Sequence, residues 1–185
     1  MKIDFTLECD VSQSSRVRQL ESMFDCPVEQ KARIRFQGEA PIDEQPWNIG
    51  LIVGPSGSGK SSVMRHLFGD SAELKWSGAS VIDDFASGLS MEAISRICQA
   101  VGFNTIPAWM RPFGVLSTGE RFRVDIARRM LELPDPVVVD EFTSVVDRQV
   151  AKIGRHAVQK WVRKNKRQFV AVTCHYDVIE WLQPD

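Results

Sequence analysis

Eight residues, Gly54-Pro55-Ser56-Gly57-Ser58-Gly59-Lys60-Ser61, constrain this chain more than any other stretch. They fit the pattern G-x-x-x-x-G-K-[ST], and the flanking sequence has the character that pattern requires. Before them, Trp47 to Val53 reads as a short apolar strand; after them, Ser61 to Phe68 has helical spacing and stops at Gly69. Glycines between a strand and a helix let backbone N–H groups curve inward around a phosphate, and the helix N-terminus adds its positive dipole end. Residues Gly54, Pro55, Ser56, Gly57, Ser58, Gly59, Lys60, Ser61 and Ser62 are therefore the expected phosphate contacts. Lys60 would reach the outer phosphates of a nucleoside triphosphate, and the Ser61 hydroxyl would ligate Mg²⁺.

The 185 residues are enough for one domain with a real core, and 43% hydrophobic with 25% charged residues is ordinary for a globular protein. No apolar run has the length of a membrane span, and the first residues alternate like a strand rather than a secretory leader. Cys9, Cys26, Cys98 and Cys174 are scattered without C-x-x-C spacing, which argues against a zinc site or disulfide framework and suits a reduced, cytoplasmic setting. A net charge of −1 gives no global attraction to nucleic acid.

Along the chain, Lys2–Glu8 and Ala32–Phe36 alternate like half-buried strands, separated by a short helix that presents Val17, Leu20 and Phe24 on one face. Beyond the phosphate loop, Ala79–Ile82 reads as a strand, Met91–Val101 as a helix capped by Ser90, and Arg121–Leu133 as a helix closed by Pro134. Val137-Val138-Val139 and Phe169–Val172 are continuous apolar runs of the kind buried in a parallel sheet. A helix over Gln149–Lys164, with Ala151, Ile153, Val158, Trp161 and Val162 inward, lies between them, and Tyr176–Leu182 forms a last short helix. Alternating strands and helices predict an α/β sheet with its ligand at the carboxyl ends of the strands.

Four further constellations follow the loop. The run Val137–Val139 ends in Asp140, placed to hold the metal ion, and Glu141 next to it is the natural general base for an attacking water. Leu116-Ser117-Thr118-Gly119-Glu120 precedes a helix and offers either an anion site or a plain N-cap. His175 stands just after the last buried strand, in Thr173-Cys174-His175. Ser144-Val145-Val146-Asp147 lies just beyond Glu141.

In this order the five motifs resemble those of the ATP-binding-cassette (ABC) ATPases. GPSGSGKS is similar to their Walker A, VVVDE to their Walker B with its catalytic glutamate, and LSTGE to their signature. SVVD is similar to the D-loop, and His175 to the switch histidine. The signature departs from the family pattern at Thr118 and Glu120, where the family has Gly and Gln, and keeps Ser117 and Gly119. No glutamine follows Ile82 for the Q-loop; Asp83 or Asp84 stands there. The resemblance implies a phosphate-loop NTPase fold of the ABC type with a small N-terminal β subdomain and a reduced helical subdomain. It implies one domain over residues 1–185: a strand-rich part at 1–46, a core at 47–82 and 134–185, and a helical part at 83–133 carrying the signature. It also implies ATP and Mg²⁺ as cofactors, with Ser61 and Asp140 on the metal. Glu141, His175 and Lys60 become the catalytic residues. Each ATP would be held between Walker A of one chain and the signature of another in a head-to-tail dimer, so that Ser117, Gly119 and Asp147 complete the site. For the adenine, Phe24 and Phe36 are the aromatic candidates by position.

Within the family, the tail from Thr173 and the stretch from Val139 to Ser144 look most like a soluble group often fused to an acetyltransferase domain. Its members would drive or regulate a protein partner that the sequence does not name. A transporter subunit is the alternative, set against only 57 residues from Lys60 to Ser117, a small helical insert for gripping a permease. A non-hydrolysing, ATP-gated interaction module is another, and a phosphate-loop kinase ranks last. Nucleic acid as a partner would draw on Lys160, Arg163, Lys164, Lys166 and Arg167 around Trp161; the competing reading is a solvated helix end whose cations suit the dipole.

Overall fold

A computed structural model describes residues 1–27, 29–142 and 158–185. It divides into two compact units, Met1–Gln45 and Pro46–Asp185.

In the first unit, strands β1 (Lys2–Asp10) and β2 (Lys31–Glu39) pair antiparallel, with helix α1 (Ser15–Phe24) between them in sequence. Alternation puts Phe5 opposite Phe36, and their rings stack at 4.9 Å. On the other face, Arg35 pairs with Asp4, while Lys31 and Arg33 pair with Glu8. Ser14 caps α1, whose apolar side is not an inner face within this unit: Leu20 is 54% exposed and Phe24 71%. Of the adenine candidates, Phe24 is thus on the surface of its unit and Phe36 is engaged with Phe5.

The second unit is built on three parallel strands, β3 (Ile49–Val53), β4 (Val137–Val139) and β5 (Phe169–Thr173), in the order β3-β5-β4. Every residue of β4 and β5 is buried, as their unbroken apolar runs require. Helix α2 (Lys60–Phe68) packs against β3 and β5, and α5 (Thr118–Glu132) against β4 and α3 (Met91–Ala100). Helix α4 (Ile106–Trp109) and a single 3₁₀ turn at Phe113–Val115 lie between α3 and α5. Helix α6, described over residues 158–164, buries Val158 and Val162, and α7 (Val178–Leu182) closes the chain. Ala151 and Ile153 lie outside the described residues. The Asp185 carboxylate accepts the N–H groups of Asn48 and Ile49 and an Arg163 hydrogen bond, which ties the chain's last residue to the start of β3.

Two expectations fail in this unit. Residues 79–82 form turns, not a strand: the Val81 N–H donates to the Arg111 carbonyl rather than to a ladder. Val81 is fully buried in the main core, so the apolar run reflects burial beneath the helical part. The helix expected from Arg121 begins three residues earlier, which makes the LSTGE stretch its first turn.

Candidate active site at the carboxyl edge of the sheet

The register fixes the geometry. Val53, the last residue of β3, is opposite Thr173 of β5, and Val139 of β4 is opposite Ala171. Parallel pairing sends all three strands out at one edge, so the Gly54 loop, His175 and the Asp140-Glu141 pair emerge side by side. The loop and the two carboxylates are two strand spacings apart, roughly 10 Å, with the β5 exit between them.

The loop has the backbone of an anion cradle. Gly57 and Gly59 sit at φ 76° and 84°, conformations that a side chain would strain. At Gly54 a Cβ would stand 3.0 Å from the Ser58 hydroxyl, which would have to shift to make room. Gly59 is the N-cap of α2 and provides no side-chain cap, and the Lys60 ammonium folds back onto the Pro55 carbonyl at 2.7 Å. A helix start with open N–H groups, a flanking lysine, and Ser61 and Ser62 in its first turn fits the phosphates and metal of a nucleotide.

Asp140 and Glu141 follow β4 directly. Glu141 is a non-glycine residue in the left-handed region, φ 51°, a conformation that costs on the order of 1–2 kcal/mol and persists only where its surroundings impose it. They do impose it: the Glu141 N–H donates to Asp140 Oδ1 at 2.8 Å, and the Phe142 N–H donates to the Val172 carbonyl at 2.7 Å. Asp140 is half-buried and Glu141 exposed, so the kink turns the second carboxylate toward solvent at the strand ends. His175 is half-buried, and its backbone N–H donates to the Thr173 hydroxyl.

Ser117 and Gly119 are presented by α5 rather than by a strand end. Ser117 is the N-cap: its hydroxyl oxygen accepts the Glu120 N–H, while the Glu120 carboxylate accepts both the Ser117 N–H and O–H. Those bonds, the hydroxyl's first, hold the Glu120 carboxyl below its ordinary range against the opposing effect of burial. The plain N-cap reading is thus realised in the chain itself. Beneath Gly119 lies Arg123, whose Nε and Nη1 are buried without a hydrogen-bond partner among the described residues, and burial pushes its pKa down. A Cβ at position 119 would press on that guanidinium at 3.2 Å.

Both Q-loop candidates take part in a turn: Asp84 Oδ1 accepts the N–H groups of Ser77 and Gly78, and Asp83 accepts the Ser80 hydroxyl. Asp83 is exposed, and Asp84 Oδ2 is buried without a hydrogen-bond partner among the described residues. Asp147, with the whole Ser144–Asp147 stretch, lies outside the described residues. The sequence reading did not single out Ser71, Asp125 and Arg129, which line a cavity of about 300 Å³ together with Asp140 and Glu141. Their only local signal is the i,i+4 spacing of Asp125 and Arg129 on α5.

A solved structure titled a dimeric structure of MJ0796, a bacterial ABC transporter cassette, superposes on 97% of this chain and 90% of its own, with TM-score 0.62 and 13% identity. The fold is that of an ABC-type ATPase domain. Sequence relatives agree. The chain is 26% identical to the lipoprotein-releasing system ATP-binding protein LolD of Hahella chejuensis, over 88% of this chain and 89% of that protein. It is 29% identical to two energy-coupling factor transporter ATP-binding proteins EcfA1, from Mycoplasmopsis pulmonis and Geobacillus kaustophilus. Those matches span 58% and 63% of this chain but only 43% and 54% of the EcfA1 proteins. No family model matches the chain. Among the described residues no helix is long and apolar enough to cross a membrane.

Proposed function

We propose that the chain binds and hydrolyses ATP as a head-to-tail dimer, each nucleotide lying between the Gly54–Ser62 loop of one chain and the Ser117–Gly119 turn of the other. The observation that carries this reading is the strand order β3-β5-β4, which delivers the phosphate cradle, the Asp140-Glu141 pair and His175 to one edge. Lys60 and the loop amides would hold the phosphates. Ser61 and Asp140 would hold Mg²⁺, which neutralises charge on the outer phosphates. Glu141 would take a proton from the attacking water as its oxygen bonds to the γ-phosphorus. The bond to the bridging oxygen then breaks, and ADP leaves with that electron pair. His175, on the neighbouring strand exit, would face the same phosphate, and Asp147 would approach the dimer interface.

The signature would enter through a second chain, presented by the first turn of α5. A dimer title for the superposed cassette supports this assembly. The output would be the work or regulation of a protein partner. The names of the relatives favour a second reading, that the partner is a transporter, while the short insert between Lys60 and Ser117 favours a non-transport partner. A nucleic-acid role is weaker in three dimensions. Arg163 is bonded to Asp185 and the Gln183 carbonyl, and Arg167 to Asp135 and two carbonyls, leaving Lys160, Lys164 and Lys166 as the exposed cations of that group.

Glu141→Gln tests the reading. It should bind Mg-ATP while losing turnover by on the order of 10²-fold or more, and light scattering should show it dimeric with ATP. Adding Ser117→Arg should block the dimer while each chain still binds a fluorescent nucleotide. Wild-type turnover in Glu141→Gln would remove the base assignment, and an undiminished dimer in the double variant would remove the trans signature. A pull-down on Glu141→Gln, with and without membranes, then separates a transporter partner from any other.

A further inference from the structure

Among the described strands, β4 has β5 as its one neighbour. The Val137 N–H donates to the Gln168 carbonyl, toward β5. By the alternation of a strand, the Val138 carbonyl therefore faces away from the sheet, on the outer edge. Val138 is buried, so that carbonyl needs a partner, and the Ser71 hydroxyl donates to it at 3.1 Å. Ser71 belongs to the irregular strap that follows α2.

Helix α5 grips this strap. Arg129 Nη1 donates to the Ala72 carbonyl at 2.6 Å and to the Ser71 hydroxyl at 3.3 Å, while its Nε is fixed by Asp125. With Nη1 as donor, Ser71 Oγ is both acceptor and donor, and its proton is directed at Val138. Two residues further on stands Asp140, then Glu141 in its left-handed kink. The inner side of that kink is pinned by the Phe142 N–H on Val172; the outer side has the Ser71 bond. Arg129, Ser71, Asp140 and Glu141 also border the same cavity.

We propose that Arg129, acting through Ser71, is a positioning residue for the Asp140-Glu141 carboxylates, so that the helix begun by the signature turn also sets where the catalytic pair stands. This rests on the ATPase reading above. Arg129 touches neither substrate nor metal in this role; it fixes the hydroxyl that fixes the strand edge.

A ready control lies one residue away. Arg128 grips the same strap from the same helix, through the Lys75 carbonyl and the Trp76 ring, but reaches nothing on β4. If Arg129 only holds the strap down, Arg128→Gln and Arg129→Gln should act alike.

The test compares Arg129→Gln, Ser71→Ala, Ser71→Thr and Arg128→Gln in the full chain, by ATP turnover per folded molecule, nucleotide affinity, melting temperature and amide hydrogen exchange. Arg129→Gln and Ser71→Ala are expected to lower kcat by about 10-fold with nucleotide affinity within about twofold, and together to do no more than the worse of the two. Ser71→Thr, which keeps the hydroxyl, should recover most of the loss. Exchange should quicken at residues 139–142 without the nucleotide, and not along α2. Arg128→Gln should lower the melting temperature but leave kcat and that exchange pattern alone. Equal kcat losses in Arg128→Gln and Arg129→Gln, or an unchanged kcat in Ser71→Ala, would overturn the proposal. Should the wild type bind ATP and not turn it over, the ATPase reading fails by itself. The exchange arm then decides: quickening confined to 139–142 upholds the positioning role, and its absence ends it.

Discussion

Helices α2 and α5 both begin with the same physical resource, a turn of unpaired N–H groups at the positive end of a dipole, and the chain treats them in opposite ways. Behind α2 stands Gly59 at φ 84° with no side chain to cap anything, and no acidic residue follows in the first turn. Behind α5 stands Ser117 in an extended conformation, locked to Glu120 by a reciprocal capping box. The first helix start has no side-chain cap of its own. The second is satisfied by its own chain at the cap and N3, so an anion from elsewhere meets the remaining first-turn donors beside a carboxylate. That difference also gives Glu120 a reason to stand where the ABC pattern has Gln: its carboxylate takes both Ser117 donors at once.

Nucleotide should separate the two ends most strongly. With Mg-ATP at about a hundred times its dissociation constant, linkage stabilises the wild type by roughly 2.7 kcal/mol. For a chain of this size that raises the melting temperature by about 5–10 °C. Lys60→Ala should lose that shift at the same ATP concentration, whereas Ser117→Ala should keep it. A monomeric Ser117→Ala chain that also fails to respond would mean that the two helix starts are not used differently.

Without nucleotide the ranking should invert. Ser117→Ala removes a working cap and should cost about 1 kcal/mol, a fall of roughly 2–4 °C, and Ser117→Asn should restore most of it. Lys60→Ala removes only a lysine contact to its own loop and should melt close to the wild type. Thermal denaturation of the three variants side by side checks this.

The smallest effect is the dependence on pH. Glu120 titrates below its ordinary range in the folded chain, so its contribution is fully present above the unfolded-state value and is lost as pH falls through the folded one. The stability gap between wild type and Ser117→Ala should therefore be flat near neutrality and narrow in mild acid, below the ordinary glutamate range. Urea titrations at neutral and acid pH would show it. A gap that widens in acid would contradict the capping carboxylate.

The start of α2 was legible in the sequence because its conformation is local: Gly57 and Gly59 allow positive φ, and Lys60-Ser61 follow in the only register the loop permits. The valines of β4 were legible for a similar reason, since an unbroken apolar run has nowhere to go but a sheet covered on both faces. Ala79–Ile82 has the same apolar look and is not a strand. Val81 is buried by the helical part, its N–H goes to Arg111, and the Ile82 carbonyl accepts the Phe85 N–H, so burial was readable and backbone pairing was not. Asp83 and Asp84 stood at the expected Q-loop position by count alone, and one oxygen of each is engaged in a turn. On α1, apolar spacing predicted an inner face where the unit leaves Leu20 and Phe24 exposed.

By itself, then, the sequence determined the conformations that each short stretch imposes on itself: the glycine cradle, the buried valine strand, the Ser117–Glu120 cap and the order of the motifs. Only the tertiary structure decided that β5 lies between β3 and β4, placing His175 between the phosphate loop and the carboxylates. It alone showed that Arg129 reaches, through Ser71, the edge of β4. The physical reason is range. A cap or a φ preference is settled within four residues, whereas the sheet is closed by contacts such as Asn48 to Asp185, 137 residues apart, whose partners carry no mark of one another in the chain.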